Sequence, residues 1–118
     1  MGNAGNLRNP SSLTVADIRQ AALDNLFFHR GQALQTADPR DAYIAASITV
    51  RDLLMHRFRR TVDAVYEANP KFVYYLSAEY LLGRQLPQNL LYSGIGELAE
   101  EAVAEYGPKL DDLIRFCL

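Results

Sequence analysis

From Thr14 onward the apolar positions fall three and four residues apart. Val15, Ile18, Ala22 and Leu26 share one helical face, with Phe27 and Leu34 extending it. Thr14 opens this segment. Its hydroxyl can cap an amide of the first turn, and Asp17 three residues on completes a capping-box pattern. Gly31 weakens the helix near its end. A second helix begins at Asp38, a good N-cap, with Pro39 at the first helical position, where a missing N–H costs nothing. Tyr43, Ser47, Val50, Leu54, Phe58, Val62 and Val65 form its stripe, and Pro70 requires it to stop near Asn69. That gives about 30 residues, or ~45 Å of helix. Such a helix suits the backbone of a large structure better than a small bundle.

After Pro70 the period changes. Phe72-Val73-Tyr74-Tyr75-Leu76 is a continuous apolar and aromatic run with strong strand propensity. A continuous run predicts a strand over 72–77 buried on both faces, as in parallel sheets. Three shorter helices are expected next: Leu86–Ser93, opened around Pro87 and closed by Gly94; Glu97–Tyr106, closed by Gly107-Pro108; and Lys109–Leu118, with Leu110, Leu113, Ile114 and Cys117 on one side. Residues 1–12, small and polar, read as a flexible tail. The expected fragment is therefore mostly α-helical with one buried β-strand. A lone buried strand leaves its N–H and C=O groups unpaired. The expectation is that residues 13–118 are the N-terminal part of a larger α/β protein, truncated before its sheet is built.

Composition narrows the classes. The chain has 118 residues, 49 % of them hydrophobic and 22 % charged, as in ordinary globular proteins. Its net charge of -2 calls for neither nucleic acid nor an anionic membrane. The lone cysteine, Cys117, excludes an internal disulfide and fits a cytoplasmic location. No stretch approaches the roughly 20 apolar residues of a membrane helix, and the first residues lack a signal-peptide core.

Little chemistry is legible from residue types alone. His29 and His56 stand far apart without metal-ligand spacing, so no metal site is expected. Cys117 reads as a small core residue. Gly94-Ile95-Gly96 is too short for a phosphate loop. Arg51, His56, Arg57, Arg59 and Arg60 form a basic patch on the long helix. It is either a solvated face partnered by Asp52 and Asp63, or an anion-binding or subunit-contact surface.

The stretch around Glu79 carries a resemblance. "VYYLSAEYLLGR", followed by "LPQNLL", resembles the N-terminal signature of the glycogen, starch and maltodextrin phosphorylases, through Tyr74, Tyr75, Leu76, Ser77, Glu79, Tyr80, Gly83, Arg84 and Asn89. Upstream, Pro39, Arg40, Asp41, Tyr43, "VRDLLMHR" (Val50, Arg51, Asp52 and Arg57) and "NPK" (Asn69, Pro70, Lys71) are similar to that family's second helix and its exit. The resemblance runs from Asp24 to Leu118.

It implies an α/β parent of two Rossmann-like domains, of GT-B type, that cleaves terminal α-1,4-glucosyl units with inorganic phosphate to give glucose 1-phosphate. It further implies pyridoxal phosphate held by a lysine absent from this chain, a homodimer, and the rest of the phosphorylase chain as partner. No catalytic, cofactor-binding or metal residue is expected in this segment, which alone should be inactive. The resemblance places Glu79 as a lining residue of the substrate cleft. The residues themselves leave open that Glu79 pairs with Arg84, fixing the turn with Gly83. In the vertebrate members paired glutamines and a tyrosine of the long helix contact AMP. Here those places hold Val62, Asp63 and Tyr66, so Tyr66 is a vestigial effector position, and an aspartate there would repel a phosphate. With no basic segment around a phosphorylated serine in the tail, this looks like a bacterial-type, unregulated enzyme. The competing expectation is a free-standing helical interaction module without catalytic activity.

Overall fold

The computed structural model describes residues 12–78, 83–104 and 109–115. The expected tail over 1–11, the residues 79–82, the end of the fourth helix and Cys117 lie outside the described residues. Within them run α1 (Val15–Arg30), α2 (Pro39–Ala68), α3 (Gln85–Ser93), α4 (Gly96–Ala104) and α5 (Leu110–Ile114).

The predicted helix starts hold. The Asp17 amide donates to Thr14 Oγ1 at 3.2 Å and the Thr14 amide donates to Asp17 Oδ2 at 3.0 Å, a closed capping box. The Asp41 amide donates to Asp38 Oδ1 at 2.7 Å, with Pro39 following the cap. Gly31 does more than weaken α1: it ends the helix. It takes φ 65°, a left-handed conformation cheap for glycine, while its amide donates to Phe27 O and that of Gln32 to Leu26 O. Asn69 ends α2 in the same conformation, φ 43°, its amide donating to Val65 O at 2.9 Å.

Helices α1 and α2 form an antiparallel hairpin. Arg30 at the end of α1 holds Asp41 at the start of α2, with Nε and Nη2 each 2.8 Å from Oδ1. Two turns further in, Asn25 Nδ2 donates to Thr49 Oγ1 at 3.0 Å inside the interface. The cation sits at a helix C-terminus and the carboxylate at an N-terminus, so both macrodipoles favour the clasp. Helix α4 packs on α1, and α3 and α5 close over α2. Ile18, Val50, Leu53, Leu86, Leu90, Ile95, Ala99 and Ala102 make the shared core.

Three expectations are corrected. The buried face of α2 is Asp41, Ala45, Thr49, Val50 and Leu53, rotated away from the predicted stripe, of which Val50 is fully buried and Phe58 is 59 % exposed. Small residues at 45 and 49 let α1 approach closely, and the Asn25–Thr49 hydrogen bond removes the cost of burying polar groups there. Phe27 is 62 % exposed and does not extend the buried face, and Leu34 lies in the turn beyond α1 rather than on the helix. Finally, the described residues contain no strand. Residues 71–77 carry no regular element, and Phe72 to Leu76 are all exposed, Val73 at 95 % and Leu76 at 92 %. Strand propensity is realised only against a partner strand, and no partner strand stands beside this run among the described residues.

Candidate functional site

Of the residues singled out from the sequence, Val62, Asp63 and Tyr66 lie on the outer half of α2. Burial along α2 ends at Leu53. Beyond it, Tyr66 is 80 % exposed, Val62 is half-buried and Asp63 is half-exposed. The left-handed cap at Asn69 and the fixed φ of Pro70 turn the chain back beside the helix. One open groove of about 470 Å³ is lined by Phe58, Val62, Tyr66, Asn69 and Phe72. Another, of about 520 Å³, is lined by Arg57, Arg60, Ala64, Ala68 and Pro70. Thr61 and Val65 border both.

The basic patch resolves largely into partnered side chains. Arg51 Nη2 lies 2.8 Å from Asp52 Oδ1 and Arg59 Nη2 lies 2.6 Å from Asp63 Oδ1, one turn on. Asp63 is thus paired within its own helix. Arg57 has a task the sequence did not announce: its Nη2 donates to Ser93 O at 2.8 Å, satisfying a carbonyl at the end of α3. Arg60 stands exposed beside Arg57 on the 520 Å³ groove.

Gly83 takes φ 93°, a conformation that strains any residue with a Cβ, so a glycine at the turn has a backbone reason. Arg84 follows with ψ 110° as the residue before α3. Glu79, and with it the Glu79–Arg84 pairing, lies outside the described residues. Among the described residues no three His, Cys, Asp or Glu side chains converge on a metal-sized site, and His29 and His56 do not meet. No described helix is long and apolar enough to cross a membrane. The buried Asn25–Thr49 pair and the Arg30–Asp41 clasp went unforeseen. Their one visible signal is an asparagine beside Leu26 on an otherwise apolar face.

No protein-family model matches the chain. Curated proteins do. The glycogen phosphorylase of Synechocystis is 39 % identical over 104 residues, 88 % of this chain and 12 % of that protein. The human brain-form glycogen phosphorylase is 36 % identical over 99 residues, 84 % of this chain and 12 % of that protein. The glycogen phosphorylase of Chlamydia pneumoniae is 36 % identical over 104 residues, 88 % of this chain and 13 % of that protein. Over 84–88 % of its length the chain is similar to glycogen phosphorylases. It spans about 12 % of the length of the Synechocystis and human relatives it matches.

Pyridoxal phosphate, implied by the phosphorylase resemblance, needs a lysine amine inside a pocket that also holds a phosphate. The chain's two lysines, Lys71 and Lys109, are both exposed, and neither borders the grooves on α2. The described residues do not fit that group, and no chemistry through it is assigned to them.

Proposed function

We propose that this chain is the opening segment of an α-1,4-glucan phosphorylase and serves as scaffold, while residues elsewhere in the enzyme perform the chemistry. The observation that carries the reading is the pairing of 36–39 % identity over most of the chain with coverage of only 12–13 % of each relative. The bare run Phe72–Leu76 supports it: an apolar surface of this kind marks a place where more protein packs. In this reading residues 13–118 form the first part of the N-terminal of two Rossmann-like domains, with GT-B architecture. The rest of the phosphorylase chain covers the outer half of α2 and pairs the 72–77 run as a strand. The whole enzyme is a cytoplasmic homodimer, takes glucan and phosphate as substrates, and holds pyridoxal phosphate on a lysine outside this segment.

Glu79 lines the substrate cleft in this reading, two residues past a strand's carboxyl end, where open α/β sheets bind ligands. Gly83 and Arg84 hold the turn behind it. Tyr66 remains from an effector site, and Asp63 beside it places a carboxylate that repels a nucleotide phosphate. Millimolar AMP is therefore expected to leave the activity of the whole enzyme unchanged, and several-fold activation in a glucose 1-phosphate assay would refute this.

A second reading, a self-standing helical interaction module, draws on one observation: five helices close a core of their own. Complementation separates the two. Synechocystis glycogen phosphorylase lacking the matched residues is co-expressed with this chain, and phosphorolysis of glycogen is measured. Glucose 1-phosphate release only when both pieces are present supports the scaffold. Release by the isolated chain, or no rescue despite a folded, monodisperse chain, overturns it.

A further inference from the structure

The described residues do not fill the interior of the bundle. A cavity of about 90 Å³, partly open at its edge, runs among α1, α2, α3, α4 and α5. Its cause is legible in the residues. Helix α4 contributes only Ala99 and Ala102 as buried side chains, and α2 presents Ala45 to the same space. Three methyl groups stand where a tightly packed helical core would place branched side chains. The surrounding wall is Ile18, Leu53 and Leu90, each under 10 % exposed.

Whether such a space holds water depends on the partners it offers, since a buried water needs two to four. Two lining residues carry polar side-chain atoms, Thr49 and Arg19. The Thr49 hydroxyl is already committed: it donates to Ala45 O at 2.9 Å and accepts from Asn25 Nδ2 at 3.0 Å. Arg19 is partly exposed and has an interaction of its own. A water in the alanine-lined part would find carbon on nearly every side. An apolar pocket of this kind offers water few partners and accepts an apolar guest, because the guest regains dispersion contacts that the lining otherwise lacks.

We propose that the bundle core is a binding site for one small, uncharged apolar molecule, seated between Ala45, Ala99 and Ala102. The volume sets the size class. A cavity of about 150 Å³ accepts benzene, so this one takes xenon or a short hydrocarbon and excludes the aromatic ring. The site is separate from the grooves on α2 and does not depend on the phosphorylase reading.

The test is a titration of the 118-residue chain, methyl-labelled at alanine and leucine, with dissolved xenon. The methyl signals of Ala45, Ala99 and Leu90 are expected to shift and saturate, while those of exposed Leu76 and Leu91 move little and linearly. Benzene is expected to give no saturable shift. Ala99→Leu fills the space and should abolish the saturable xenon shift, with helical content by circular dichroism unchanged. Ala102→Val is a second, smaller filling that should reduce it. Shifts that stay linear at all methyls overturn the proposal, as does a saturable shift that survives in a folded Ala99→Leu protein. Should the filled variants not fold, the contrast between xenon and benzene on the unaltered chain decides alone.

Discussion

The two halves of α2 are one continuous helix with similar apolar content and opposite fates. In the first half Asp41, Ala45, Thr49, Val50 and Leu53 are buried under α1 and its neighbours. In the second half no residue is buried, and Met55, Phe58 and Tyr66 stand in solvent. The bare half is about 14 residues long, a length at which an isolated helix is marginal in water. It persists because the packed half has already met the cost of nucleation and each further residue only adds a hydrogen bond. The Arg59–Asp63 pair one turn apart adds a few tenths of a kcal/mol at most. The difference teaches that an apolar stripe states a capacity for burial, and that the cover is a separate fact. In the first half the cover is local, supplied through an eight-residue connection from α1, residues 31–38. In the second half, and along Phe72–Leu76, none of the described elements supplies it.

The contrast can be broken by paired substitutions. Leu53→Ala removes a side chain 4 % exposed in the core and should cost about 2–5 kcal/mol. A urea titration measures it, and a loss under about 1 kcal/mol would show that the first half is not a true core. Asp41→Ala strips Arg30 of a partner whose own side chain is 12 % exposed. Because the arginine reaches solvent, the expected loss is smaller, about 1–3 kcal/mol, read as a drop in melting temperature at constant helical content.

Glu79→Gln tests the apolar run from the functional side. In a phosphorylase-length chain it keeps the shape and removes the charge, and activity should fall roughly tenfold, about 1.4 kcal/mol of transition-state stabilisation, with little change in melting temperature. Near-normal turnover with a clear loss of stability would instead make Glu79 a structural partner of Arg84. The smallest effect is expected in the bare half. Phe58→Ala and Val73→Ser in the present chain should each change stability by less than about 0.5 kcal/mol. The same two changes in a phosphorylase-length chain should cost several times more, as buried positions do. Equal small effects in both settings would mean that these surfaces stay uncovered there, and would sink the scaffold reading.

By itself the sequence determined the starts of α1 and α2 and the end of α2. Thr14 with Asp17, Asp38 with Pro39, and Asn69 with Pro70 act through hydrogen bonds and dihedral limits within three or four residues, so no distant partner is needed to read them. It also carried the likeness to glycogen phosphorylases, because sequence similarity does not depend on packing. Only the tertiary structure decided which face of α2 is covered, since that rests on how closely Ala45 and Thr49 let α1 approach and on where Asn25 finds its acceptor. It decided that Arg57 serves the end of α3 and that alanines on α2 and α4 leave a cavity between them. It also decided that a run with every local mark of a strand has no ladder among the described residues: β-propensity is a property of side chains, while a sheet is hydrogen bonding between segments.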